Sequence, residues 1–499
     1  MIRSQRLDTI YLDLLEHKEV RSNLSALRAK LRAGTEEAYN KEHVSTFVQE
    51  HEAFVLDLLA EEDAKTRKNA ALLLGDISYQ NGAQALYDAY EKENTLFVKS
   101  AYLDALSQMD IADKLPQIKQ QIEKLAAEDV TEENRKHIDE ELRALRKIVI
   151  RYEGISKHKF DRKQTHNRVL LFCNKNGRET VRRMTGGKVH PLGVMVETDD
   201  LVPLMQVRTY REMLFPIEGG KLTDSEPRAA AQALCKPFVA LCEKYHHENM
   251  PFYFRVECKA PMTLEQKSTF AKRLGSELER LSGGRLINSV GDYEVELRLI
   301  ANKEGRFFPC LKFYTLRDMR FSYRKNVISV SIHPSLAALM MELAAPYLKE
   351  GAQVMDPFCG VGTMLIERDI RVPAGDKYGT DTFGEAIDKA RENASLAGEQ
   401  IHYIHRDFFD FHHDYLFDEI VTNMPVRGKM TREELDRFYT RFFDKALEIL
   451  RKNAIIVMYT QEVGFVKKQL RLRKEYVLHQ EYCMQDKKGF YLLVIGVRE

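Results

Sequence analysis

Residues Val354–Glu367, VMDPFCGVGTMLIE, constrain this chain most. A short apolar run ends on Asp356. A tight loop follows with glycines at 360 and 362, and Thr363 then starts an apolar helical turn. Strand, glycine loop and helix start are the parts that seat an adenosine-containing ligand at the carboxyl edge of a doubly wound α/β sheet.

Downstream, the pattern repeats at regular spacing. Lys377–Asp381 and Ile401–Asp407 read as strands that end on an acid, Phe417–Asn423 as a fourth strand and Ile455–Tyr459 as a fifth. Tyr476–Cys483 and Gly489–Val497 read as a closing hairpin. Thr382 with Glu385, and Thr431 with Glu434, read as capping boxes opening two helices. The first of these has Phe383, Ala386, Ile387, Ala390 and Ala394 as its apolar face and stops at Gly398. Asp356, Asp381, Asp407 and Asn423 therefore all fall at strand ends. Glycines 360 and 362 let the backbone approach the ligand's aminoacyl part. Asp381, 25 residues after Asp356, can accept from ribose hydroxyls. Asp407 can accept from an adenine amino group while Phe408 covers the ring. A dinucleotide fingerprint needs a third glycine or an alanine where Leu365 stands, and no P-loop lysine is present. Acids at three successive strand ends favour S-adenosylmethionine. The expected cofactor residues are Asp356, Phe358, Gly360, Gly362, Thr363, Asp381, Thr382, Asp407, Phe408 and Asn423; no metal is expected.

Residues 1–155 read as all helix. Residues 69–75 align with 100–106 at a period of 31, each copy preceded by a basic residue, Arg67 or Lys99. This resembles a HEAT-like helical-pair array, alongside an irregular bundle as the plainer reading. Such a domain takes a protein partner or a phosphate backbone. KHKFDRK, 157–163, reads as a solvated connector. Beyond it lie a strand at 169–172, a helix from Gly177 to Gly186, a strand at 189–197, and a helix running into a strand over 201–215. A helix at 228–245, a strand at 252–257, a helix at 264–281 and a hairpin at 293–314 follow. In that hairpin Val295, Leu297 and Leu299 share one face.

FRVECK (254–259), the helix 264–281, EVELRLI (294–300), RFSYRK (320–325) and HPSLAALMM (333–341) resemble the THUMP domain and its junction to a class I methyltransferase. Residues 167–216 are similar to the ferredoxin-like unit that precedes THUMP in that family. The resemblance covers about 165–499. It implies four domains: HEAT-like 1–155, ferredoxin-like 165–220, THUMP-like 221–328, and a doubly wound methyltransferase at 329–499. It also implies RNA binding, of tRNA or rRNA. Arg317, Arg320, Arg324 and Lys325, interleaved with Phe321 and Tyr323, are the expected phosphate and base contacts.

TNMPVRG, 422–428, falls where amino-methyltransferases carry N/D-P-P followed by an aromatic. Asn423 and the carbonyl before Pro425 could accept from an exocyclic amine and aim its lone pair, which makes Asn423 and Pro425 the expected catalytic residues. The sequence departs at Val426, where an aromatic would stack on the base; Phe408, Tyr439 or Phe442 could replace it. Three readings stand. One is an RNA methyltransferase acting on an exocyclic amine, guanine N2 first. The second is an RNA-binding or assembly protein that keeps the cofactor fold without turnover, and the third a DNA adenine-N6 methyltransferase. Cys359 reads as a packing residue in the loop rather than a nucleophile.

The chain has 76 basic and 75 acidic residues, so net charge says nothing about nucleic acid, and only local clusters can. Seven scattered cysteines without C-x-x-C spacing argue against disulfides or zinc and for the cytoplasm. No apolar run reaches membrane-spanning length.

Overall fold

The computed structural model describes residues 7–32, 37–127, 134–155, 157–217 and 225–498. The chain divides into two compact units, 1–157 with 283–293, and 158–282 with 294–499. The boundary expected at 220/221 lies outside the described residues. All seven cysteines are free, and among the described residues no helix is long and apolar enough to cross a membrane.

The first unit is helical from Leu7 to Glu153 around one apolar core. The two repeat copies lie on helices Ala64–Asp76 and Leu96–Leu106. At Gly75 the two helices are in close contact. A Cβ there would sit 2.6 Å from Ala105 Cα, so the small residues at this position set the helix spacing. The basic residue before each copy is used internally. Arg67 pairs with Glu93 at 2.8 Å, and Lys99 lies 3.7 Å from the buried Glu141.

In the second unit, the segments expected as separate ferredoxin-like and THUMP-like domains share one sheet. Its strands run in the order Lys188–His190, Gly193–Thr198, Asn167–Phe172, Glu212–Pro216, Phe307–Phe313, Val295–Ala301, Phe252–Lys259. The joint is Phe215 opposite Leu311 and Pro216 opposite Cys310. Several local expectations change here. The strand at 189–197 is a hairpin broken at Pro191 and Leu192, and of the helix running into a strand over 201–215 the helix shrinks to one 3-10 turn, Leu204–Gln206, while the strand forms at Glu212–Pro216. The connector at 157–163 is not solvated throughout. His158 and Phe160 are buried, and His158 Nδ1 lies 2.7 Å from Glu294 Oε1. Strand Val295–Ala301 keeps its apolar face, yet the other face is buried too. Glu296 accepts from Arg255 and Arg298, and Arg298 also donates to Glu212. Alternation cannot distinguish a solvated face from one filled with paired charges.

The C-terminal sheet contains β1 (Val354–Asp356), β2 (Lys377–Asp381), β3 (His402–His405), β4 (Phe417–Asn423), β5 (Leu450–Thr460), β6 (Tyr476–Gln485) and β7 (Phe490–Val497). Their order is β3-β2-β1-β4-β5-β7-β6. The first five are parallel, and β7 is antiparallel to β5 and β6. A parallel strand covered on both faces buries residues on each side, as β4 does with Phe417, Ile420 and Val421 and also with the polar Glu419 and Thr422. Strand order reverses between β1 and β4, and ligands bind beyond the carboxyl ends at such a point. Helix Arg432–Ile449 opens on the expected Thr431/Glu434 capping box. Helix Gly384–Ala397 does not open on one. Its N-cap is Phe383, with no side-chain bond, and Glu385 pairs instead with Lys389. Phe383 is 48% exposed rather than part of the buried face.

Two buried ion pairs lock helix Thr363–Arg371. Arg368 donates to both Glu419 oxygens, at 2.9 and 2.8 Å, and to Lys349 O. Glu367 accepts from Arg208 and from the Tyr323 hydroxyl. Arg208 and Tyr323 lie outside the C-terminal sheet, so this contact ties the two sheets of the unit together.

Candidate active site

The turn from β1 into helix Thr363–Arg371 passes through positive φ at Gly360 (51°) and Gly362 (84°). Each glycine has its own reason. A Cβ on Gly360 would meet nothing within 4 Å and would project into open space. A Cβ on Gly362 would collide with the Tyr403 hydroxyl, so that glycine answers to packing. Asp381, at the end of β2, holds the loop open. Its Oδ2 accepts from Gly360 N and its Oδ1 from Phe383 N, both at 2.9 Å.

These elements enclose a cavity of about 340 Å³ at the switch point. Phe358, Gly360, Thr363, Asp381, Asn423 and Pro425 line it, together with Phe383 and the segment Ile328–Ile332. Its size is at the small end of ligand pockets, roughly 300–1,000 Å³. The lining suits S-adenosylmethionine. Backbone at Gly360 is bare toward the space, and a carboxylate at Asp381 keeps lone pairs for ribose hydroxyls. Among the described residues no cluster could hold a metal ion.

Other expected residues fall elsewhere. Asp356 is fully buried behind the loop, and its Oδ1 accepts from Phe358 N, so it shapes the loop instead of touching a ligand. Gly362 and Thr382 are not on the wall. Thr382 offers its carbonyl to His405 Nε2. Asp407 is also off the wall and caps the turn Phe408–Asp410 by accepting from Phe409 N. Phe408 is 1% exposed, packed against Phe358, Phe409 and Phe442, and has no face left for a ring. Tyr439 and Phe442 are equally buried, and the Tyr439 hydroxyl bonds Thr460 Oγ1. None of these three can stand in for the missing aromatic. Cys359 is buried, and burial pushes its thiol well above the ordinary range, which suits packing and not nucleophilic attack.

The basic segment divides in the same way. Arg320 is buried, pairs with Asp318, donates to the Val207 and Tyr210 carbonyls and lies 3.7 Å over the Tyr210 ring. It holds the chain and cannot reach a phosphate. Arg324 is half-buried and donates to Ile332 O. Tyr323 is buried, and Phe321 has the Arg208 and Arg320 guanidinium groups near its ring, so neither is free to stack on a base. Arg317 and Lys325 remain exposed.

Asn423 ends β4, where Tyr459 on β5 is its neighbour, and Met424 N donates to Tyr459 O at 2.9 Å. Among the described residues the Asn423 carboxamide makes no hydrogen bond, and Val426 is 51% exposed. Segment 328–332, Ile-Ser-Val-Ser-Ile before HPS, carried no motif that marked it as part of a site. It is fastened by Ile328 N to Ser331 Oγ, and by Asn326 to Asn393.

Burial pushes the Asp356 carboxyl up to about 7, and the nearby Asp381 charge adds to this, while the Phe358 amide pulls the other way. A proton bound more tightly in the folded state favours folding at low pH. That contribution is lost as pH rises from about 4 through 7. Asp356→Asn is therefore expected to gain melting temperature relative to wild type across this window. A difference that stays flat in thermal scans from pH 4 to 8 would refute the assignment.

Asp381→Ala removes two loop contacts and a carboxylate from the cavity wall together. Charge-assisted hydrogen bonds contribute about 1.5–3 kcal/mol each, so S-adenosylmethionine affinity should fall at least tenfold in calorimetry while RNA retention on filters stays unchanged. Equal loss of both would count against the ribose role.

Residues 322–487 match the family described as RMKL-like, methyltransferase domain. The chain is 29% identical over 156 residues to a tRNA (guanine(10)-N2)-dimethyltransferase of Methanothermobacter thermautotrophicus, covering 29% of this chain and 44% of that protein. It is 31% identical over 116 residues to an uncharacterized protein of Mycoplasma genitalium, covering 23% of this chain and 24% of the other. The chain thus spans less than half the length of these curated relatives. The crystal structure of TrmN from Thermus thermophilus is 20% identical with a TM-score of 0.49, covering 66% of this chain and 99% of that one.

Proposed function

We propose that this chain, whose residues 322–487 carry a methyltransferase domain, transfers a methyl group from S-adenosylmethionine to an exocyclic base amine of RNA, guanine N2 in tRNA or rRNA first. The observation that carries the reading is the unengaged Asn423 carboxamide on the wall of the cavity that Asp381 and Gly360 frame. Bound there, the cofactor supplies a methyl on a sulfonium, which departs as the neutral thioether. The Gly360 loop would hold the aminoacyl end and Asp381 the ribose. An exocyclic amine is a poor nucleophile because its lone pair is delocalised into the ring. The Asn423 side-chain oxygen and the Met424 carbonyl accept its two hydrogens, which favours a pyramidal nitrogen with the lone pair toward the methyl. Methylation would leave positive charge on that nitrogen, which both acceptors would stabilise until the nitrogen loses its extra proton to water. No covalent intermediate is needed.

The tRNA (guanine(10)-N2) activity named for the Methanothermobacter relative supports guanine. Arg317 and Lys325 are the exposed cations of the expected RNA segment. The helical unit, whose repeat-copy cations are already paired, fits a protein partner better than a phosphate backbone. The cytoplasm is the compartment proposed, in keeping with free cysteines.

Exposed Val426, where an aromatic would stack, favours a second reading, a protein that binds RNA and cofactor without turnover. Radiolabelled methyl incorporation into RNA from a deletion strain, followed by nucleoside mass spectrometry, separates the two. N2-methylguanosine formation is expected. Cofactor binding with no transfer to any RNA leaves the second reading.

A further inference from the structure

A second cavity, of about 530 Å³, adjoins the first. Asn423, Val426 and residues Val330–Ile332 line both, so the Asn423 carboxamide stands at the boundary between them. The far wall comes from the other sheet of the same unit, through Phe172 and Arg211 among others, and from the β6–β7 turn through Lys488 and Phe490.

Most polar groups on this wall are already used. Asn174 donates to Met484 O and accepts from Asn176 N. Gln485 donates to the Tyr459 hydroxyl, and His333 Nδ1 is shared with Ser335. Burial, helped by the Arg211 and Arg324 charges, holds the His333 imidazole down at about 4, so it adds no charge of its own. Three groups have no hydrogen bond or ion pair among the described residues: the Asn423 carboxamide, the Arg211 guanidinium and the Lys488 ammonium. Two unpaired cations beside one amide describe an anion with a polar heterocycle attached.

The aromatic surface is there as well. The Phe490 ring stacks on Tyr459, centroids 4.9 Å apart and 16° from parallel. Tyr459 is the cross-strand neighbour of Asn423. Asn423 thus pairs with Tyr459 and Tyr459 with Leu492, and Phe490 lies two residues before Leu492 on the same face of β7, over the Tyr459 ring. Tyr459 is buried at 3% exposure, while Phe490 is only half-buried and lines the cavity.

We propose that this second cavity receives the nucleotide to be methylated, with its base against the Phe490 ring, its phosphate between Arg211 and Lys488, and its amine at Asn423. Phe490 then does from β7 what an aromatic at position 426 would do from the motif itself, and an unstacked nucleotide is required to reach it. Arg211 reads the phosphate and carries no base information. The assignment rests on the methyl-transfer reading, and its test does not need turnover.

The full-length protein, saturated with S-adenosylhomocysteine, is titrated calorimetrically with guanosine 5′-monophosphate and with guanosine. Both should bind, the nucleotide more tightly. Phe490→Ala and the milder Phe490→Leu should each weaken both ligands about tenfold. Arg211→Gln should reduce the nucleotide to the affinity of the nucleoside and leave the nucleoside unchanged. Wild-type melting and S-adenosylhomocysteine affinity in each variant show that the fold survives. Absence of saturable nucleotide binding at millimolar concentration, or binding that none of the variants alters, overturns the proposal. Methyl incorporation without this nucleotide site defeats the cavity assignment alone; the nucleotide site without methyl incorporation defeats the methyl-transfer reading alone.

Discussion

Asn423→Ala is expected to slow methyl transfer about 10²–10³-fold, the range found when one preorganised polar group is removed from a developing charge, with cofactor affinity unchanged. The separation follows from the geometry. The carboxamide faces the boundary of the two cavities and makes no hydrogen bond among the described residues, so its loss leaves no orphaned partner in the protein. The backbone bond from Met424 N to Tyr459 O keeps the strand end in place. Asn423→Asp retains an acceptor oxygen and should recover part of the rate. Single-turnover kinetics with saturating cofactor are the measurement, and unchanged turnover in the alanine variant would remove Asn423 from the mechanism.

Arg368→Ala should lower folding stability by about 3–5 kcal/mol, because a buried ion pair that loses one partner leaves the other charge uncompensated. Arg368 is fully buried and Glu419 is 1% exposed. Burial already raises the Glu419 carboxyl above its ordinary range despite the guanidinium beside it. Without Arg368 it rises further. The carboxylate then takes a proton at mildly acidic pH, and the deficit should shrink as pH falls. Urea unfolding at pH 8 and at pH 5 tests this. Arg368→Met with Glu419→Leu should restore much of the loss at both. Equal deficits at the two pH values would mean that lost packing, and not the buried carboxylate, dominates. Cofactor affinity should fall with Arg368→Ala as well, since the pair anchors the helix that follows the glycine loop.

The strands of the C-terminal sheet were readable because short segments ending on Asp356, Asp381 and Asn423 alternate with helical stretches at regular spacing. The hairpin at 295–313 and the helix at 264–281 were readable for similar reasons of period. Misreadings cluster where polar residues are used internally. Arg320 looks in sequence like Arg317, yet it is buried beneath its own hydrogen bonds. Thr382 and Glu385 have capping-box spacing, yet the helix begins one residue too late to use it. Phe408 follows an acid at a strand end, as a ring-covering residue should, yet it lies under Phe358. For Arg320 and Phe408 residue type and spacing were right and accessibility was not, and accessibility belongs to the packed molecule.

The sequence alone determined the doubly wound sheet, the glycine loop at 360–362, the acid at Asp381 and the position of Asn423, because these depend on local period, positive φ and short chain separation. Only the tertiary structure decided what stands opposite Asn423. Phe490 is 67 residues away in sequence and reaches the site because β7 pairs with β5 and β5 with β4. Arg211 reaches the same cavity from a different sheet. Strand pairing between distant segments leaves no mark on local pattern, so nothing in the sequence around Val426 points to Phe490 as a ring on the same cavity.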